Sequence, residues 1–120
     1  MDFEFDDDKP IYKQLVEKLK LAIVTGTYQS GDKLPSVREL SAVVRVNPNT
    51  IQRALLELES EKLIYTMRTS GKFVTEDEEV IQQAKEELAI EKVELFLTHM
   101  NTLGLSKEDI MKLLKERKNS

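Results

Sequence analysis

Apolar residues recur along this chain in helical stripes, interrupted once by a short alternating run. After Pro10, the positions Ile11, Leu15, Leu19, Ala22 and Ile23, broadened by Tyr12 and Val16, return every three or four residues until Gly26, which predicts a helix over 10–25. Val37, Leu40, Val43 and Val44 predict a second helix over 36–44 with its stripe facing a core, and Ile51, Ala54, Leu55 and Leu58 a third over 48–60. Leu63, Tyr65 and Met67 then alternate with Ile64 and Thr66. Phe73 and Val74 follow a turn at Thr69-Ser70-Gly71, the pattern of a two-stranded ribbon packed on the helices. From Glu76 the helical spacing returns in Val80, Ile81, Ala84, Leu88, Val93, Phe96, Leu97, Met100 and Leu103, with Gly104 as a C-cap candidate. A helix from Asp77 to Leu103 would extend about 40 Å. A last helix starts at Ser106, carries Ile110, Met111, Leu113 and Leu114, and runs into the basic residues Lys115 to Lys118.

The helix ends are written in the polar residues. Ser36 with Glu39 three residues on forms a capping box, each side chain satisfying an orphan backbone donor of the other, and Ser106 with Asp109 repeats a weaker version. Asn47 is a strong N-cap and Pro48 fits the first helical position, where a missing N–H costs nothing. Only Arg45 and Val46 separate the second and third helices, which matches a helix-turn-helix layout. The third helix's stripe leaves Asn49, Thr50, Gln52 and Arg53 on or near its opposite face. Asn and Gln can bond adenine in two places, Thr can touch a thymine methyl or a phosphate, and Arg can fork onto guanine or phosphate. A helical hairpin with a solvated polar face gives the same pattern, so the hairpin alone leaves both readings open.

Three separated stretches narrow the choice: Gly31-Asp32-Lys33-Leu34-Pro35-Ser36-Val37-Arg38-Glu39-Leu40, the run from Asn47 to Leu55, and Glu61-Lys62-Leu63-Ile64 followed by Gly71-Lys72-Phe73-Val74. In order and spacing they resemble the winged helix-turn-helix domain of the GntR family over Lys9 to Thr75. The resemblance implies DNA binding, with the arginine at Arg38 directed towards the duplex and the wing tip at Gly71 touching it. A glycine tip bracketed by Arg68 and Lys72 suits that role, although a hairpin turn needing positive φ would also select Gly. The chain departs from many members in carrying Pro48 and Asn49 where they have an arginine. Arg45 or Arg53 can supply that charge. The expected DNA-binding set is therefore Ser36, Arg38, Arg45, Asn47, Asn49, Thr50, Gln52, Arg53, Arg68, Gly71 and Lys72.

Composition changes this picture in one respect. The net charge of −4 argues against a nucleic-acid partner for the whole chain. The charge is unevenly spread, however: residues 1–8 hold five acids and no base, 9–75 eleven bases against six acids, and 76–120 seven bases against eleven acids. The basic part is the one expected to meet phosphates. Glu57, Glu59 and Glu61 confine that approach to the third helix's first two turns. There is no cysteine, so a disulfide or thiolate metal site is excluded, and no apolar run approaches a membrane span. A cytoplasmic location, no cofactor and no metal are expected. His99, the single histidine, falls near the apolar stripe and is expected to be partly buried and structural. Without GxSxG, P-loop or HExxH motifs, no enzyme activity is expected.

The expected fold is mainly α with a small β-hairpin wing: an acidic arm over 1–8, expected to be mobile and without a function although Phe3 and Phe5 could dock on the domain, a winged helix-turn-helix domain over 9–77, and a two-helix dimerisation tail over 78–120. The tail is too short to enclose a usual ligand pocket. Its apolar positions, Ile81, Leu88, Val93, Phe96, Leu97, Met100, Leu103, Ile110, Leu113 and Leu114, need a partner surface, either a second copy or the chain's own winged domain. The resemblance, here to the short-tailed YtrA-type branch, implies a homodimer, and relatives there often regulate transporter operons. The expected function is an operator-binding transcription regulator, more often a repressor, with an inverted-repeat DNA site; a response to a small-molecule effector is left open. The competing class is a protein-interaction module that keeps the fold but no longer reads an operator.

Overall fold

The structure, a computed structural model, describes residues 5, 6 and 8–117. Phe3 and Lys118 lie outside the described residues. The order is α1 (Ile11–Val24), α2 (Val37–Val44), α3 (Pro48–Ser60), β1 (Ile64–Met67), β2 (Gly71–Val74), α4 (Glu78–Thr102) and α5 (Lys107–Glu116). It is the winged helix-turn-helix arrangement, mainly helical with one antiparallel hairpin. The chain forms two compact units, Met1–Lys85 and Glu86–Ser120.

In the first unit α3 packs chiefly on α1 and also meets α2 and β1. Leu15, Leu19, Ile51, Leu55, Leu58, Leu63, Ile64 and Val74 are fully buried there. Each such side chain contributes roughly 1.5–3 kcal/mol of transfer free energy, so this cluster fixes how the three helices meet. Phe5 packs against the cluster, and Val80, Ile81 and Ala84 from the start of α4 join it. Ile81, expected in a contact between copies, packs partly buried against the chain's own core.

Two stripe assignments are corrected. Val43 is 70% exposed. At about 100° per residue it points some 90° away from the mean direction of Leu40, Val44 and Val37, and a two-turn helix has no room for so wide a stripe. Val46 lies in the turn, as expected, and also packs on the core. In α1, Ile11 is exposed and Gln14 takes an inward place. The Gln14 amide accepts from the Asp6 N–H (2.7 Å) and donates to the carbonyls of Asp6 (2.8 Å) and Lys9 (2.9 Å), which satisfies its buried polar atoms and fastens the chain entering α1.

The hairpin pairs Ile64 with Val74 and Met67 with Gly71, leaving Arg68–Ser70 as its loop. Residues 32–34 add an edge that the sequence pattern does not announce. Val74 N–H donates to Asp32 O (2.8 Å), Leu34 N–H to Lys72 O (2.8 Å), and Lys33 bridges Phe73. The chain leaves α3 through Lys62 in the left-handed conformation, with Leu63 N–H closing back on Leu58 O.

Within the second unit, α4 ends in a Schellman motif: Gly104 has φ +81°, Leu105 N–H reaches Met100 O (3.1 Å) and Gly104 N–H reaches Asn101 O (2.9 Å). Both bonds of the Ser106–Asp109 capping box are present at the start of α5. Leu88 and Ile110 are buried, whereas Val93, Phe96, Leu103, Leu113 and Leu114 are exposed, together with Ile90 and Leu95. His99 is exposed rather than partly buried, because it lies at the edge of the stripe in the last turn of α4.

Candidate nucleic-acid interface

The start of α2 is held by the expected capping box, with Glu39 N–H donating to Ser36 Oγ (3.1 Å) and Ser36 N–H to the Glu39 carboxylate (3.0 Å). These bonds hold the Glu39 carboxyl below its ordinary range. Arg38, at the second position of the helix, is exposed. Arg45 caps the end of α2 with φ +57°, and the Ser41 hydroxyl ties the turn by donating to Val46 O (2.7 Å). Arg45 too is exposed. A non-glycine residue in that region carries a small strain, which the packing of Val44 and Val46 on either side holds in place.

Asn47 caps α3 by accepting from Asn49 N–H (2.8 Å), which leaves its side-chain amide donors available. Around α3, steps of about 100° put Asn49 and Arg53 opposite the buried Ile51 and Leu55, with Thr50 and Gln52 at the two edges. The burial follows this order, with Asn49 and Arg53 exposed and Thr50 and Gln52 half-buried. The Arg53 guanidinium lies 3.7 Å from the Tyr12 ring centroid. Stacking on the ring occupies the face of the guanidinium and leaves its in-plane donors free to fork onto an acceptor. Tyr12 was legible only as part of a stripe, since contact between α1 and α3 is a tertiary fact.

At the wing, Arg68 lies in the exposed loop and Gly71 opens β2 with φ +112°. Lys72 does not project from the tip. Its ammonium is held 2.8 Å from Thr66 Oγ1 and 3.4 Å from Glu59 Oε1, and the Thr66 hydroxyl donates to the same carboxylate. Glu59 is held below the ordinary carboxylate range, first by Thr66 and, secondarily, by Lys72. Between the wing and the start of α2 lies a concavity of about 300 Å³, bordered by Lys33, Ser36, Arg68, Ser70, Gly71 and Lys72. Lys33 is absent from the expected set, because a single buried Leu34 between Gly31 and Pro35 is too short a signal to reveal an edge strand.

This helix-turn-helix and wing can be compared with known proteins. The family described as "Bacterial regulatory proteins, gntR family" matches residues 11–74, more than half the chain. The chain belongs to the GntR family. It is 40% identical to the uncharacterized HTH-type transcriptional regulator YhcF of Bacillus subtilis (strain 168), over 96% of this chain and 95% of that protein. With the HTH-type transcriptional repressor YtrA of the same organism it shares 33% identity over 89% of this chain and 83% of the relative. A GntR family transcriptional regulator from Listeria monocytogenes superimposes with a TM-score of 0.86 at 50% identity, covering 95% of this chain and all of that one. The likeness to short GntR regulators thus runs through the tail. The DNA-binding domain of AraR, solved in complex with operator ORR3, matches with a TM-score of 0.54 at 31% identity over 62% of this chain and 88% of that one. Among the described residues of this GntR protein no helix is long and apolar enough to cross a membrane, and no group of three or more acids or histidines could hold a metal ion.

Proposed function

We propose that this GntR-family protein is a transcriptional repressor that binds an inverted-repeat operator as a homodimer, controlling a transporter operon and acting by occupying a promoter. The observation that carries the reading is the first two turns of α3. A capped helix start presents Asn49 and Arg53 away from the core with Thr50 and Gln52 at the edges, in the segment of an acidic chain that carries a net excess of bases. Amide, hydroxyl and guanidinium groups on the leading turns of such a helix are suited to major-groove base edges and flanking phosphates. Two relatives, a transcriptional repressor and a DNA-binding domain solved on its operator, support the same class.

Dimerisation is supported by the tail. Val93, Phe96, Leu103, Leu113 and Leu114 are more than one-third exposed within one copy. A two-fold pairing of α4 and α5 would remove that apolar surface from water and place two reading heads on adjacent half-sites. The test is to measure binding to the chain's own upstream DNA and to random duplex as salt is raised, with sedimentation to give the stoichiometry. The expected result is a sharp preference for the upstream site, a steep fall of affinity with salt, and two chains per site. Equal binding to random duplex, or one chain per site, would contradict the proposal.

A further inference from the structure

Lys33 and Lys72 sit beside the same concavity yet on different faces of the wing. Side chains alternate across a strand, so Lys33 shares the face of its bridged partner Phe73 and of Gly71, while Lys72 occupies the other face. There Lys72 is committed to Glu59 and Thr66. Lys33 is exposed, and its Cε lies 3.3 Å from the place a Cβ on Gly71 would occupy, so its stem crosses close to the glycine that opens β2. The acid bordering this stretch, Glu39, receives the Ser36 N–H, and the Lys33 charge acts on it only as a lesser influence after the Ser36 bonds.

We propose that Lys33, rather than Lys72, is the wing's phosphate-contacting cation, gripping the DNA backbone between the start of α2 and the wing tip. This rests on the operator-binding reading above. Arg38 stands at the start of α2 and Arg68 in the wing loop, and the concavity between α2 and the wing is where a backbone reached by both would pass. A primary ammonium on a flexible stem meets a phosphate as a point charge without reading sequence. Gly71 then has two reasons to be glycine: its positive φ, and the space its missing side chain leaves to Lys33.

The experiment compares wild type, Lys33→Gln, Lys33→Arg and Lys72→Gln on the upstream DNA across a salt series, with a thermal melt of each protein. Lys33→Gln should weaken binding several-fold and lower the slope of log K against log salt by about one per bound chain, with an unchanged melt. Lys33→Arg should keep the slope. Lys72→Gln should lower the melting temperature, through the lost tie to Glu59, and leave the slope intact. An unchanged slope in Lys33→Gln, or a loss carried by Lys72→Gln instead, overturns the assignment while operator binding stands. A wild-type chain that ignores every duplex overturns the operator reading itself, and the role of Lys33 with it.

Discussion

Arg38 and Arg53 illustrate two ways of presenting a guanidinium. Arg53 is oriented beforehand by the Tyr12 ring, whereas Arg38 is exposed at a helix start fixed by the Ser36–Glu39 box. Pre-orientation limits the rotamer entropy lost on binding, so part of the ordering cost at Arg53 is met within the free protein. Arg38→Ala should weaken operator binding by at least about 1 kcal/mol with no change in melting temperature, measured by titration and calorimetric melt, because its side chain is exposed. Unchanged affinity would remove Arg38 from the interface. Asn47 and Arg53 were legible as residue types at capped, outward positions. The stacking of Arg53 and the tie of Lys72 were not, because their partners, Tyr12 and Glu59, lie on other elements.

Among the elements, α2, the wing and α5 are each tied by a carboxylate, Asp109 of α5 being lowered by its bonds with Ser106. Glu39 and Glu59 are both held below their ordinary range, the first by bonds from Ser36 and the second by bonds from Thr66 and Lys72. A depressed folded value means stability that is fully present above the unfolded carboxylate range of about 4.3 and lost as pH falls through the folded value. The chain should therefore melt at progressively lower temperature as pH drops below about 4. Glu39→Gln and Glu59→Gln should each flatten that acid response, followed by circular dichroism from pH 7 to 3. An acid response as steep in the double variant as in wild type would count against these ties. The α-helix limits were readable because caps and period agree: Asn47-Pro48 sets the start of α3, and Gly104 the end of α4. The edge formed by residues 32–34 was not, since its hydrogen bonds go to β2, some forty residues further on.

For the whole molecule, the question is which apolar surface remains after folding. The beginning of α4 is spent on the first unit's core through Val80, Ile81 and Ala84. Further along, Phe96, Leu103 and Leu113 stay exposed, Leu103 to 70%. Replacing Phe96 and Leu113 together with Asp should yield a folded monomer in sedimentation, with operator affinity reduced by tenfold or more, because two linked half-site contacts become one. A double variant that still sediments as a dimer would move the interface away from these helices. Ending the chain after Lys85 should preserve the first unit, whereas ending it after Thr75 should destabilise that unit by exposing the core that Ala84 covers.

The sequence by itself determined where helices start and stop, the helix-turn-helix, the glycine-opened ribbon and the polar face of α3, because caps, turns and periodicity act over a few residues. Tertiary structure alone decided that Gln14 is buried and satisfied by the arm, that Lys72 is tied down while Lys33 crosses the wing, and that Ile81 packs against the core. A side chain's neighbours across a packed interface depend on helix crossing and strand pairing, which no local spacing encodes.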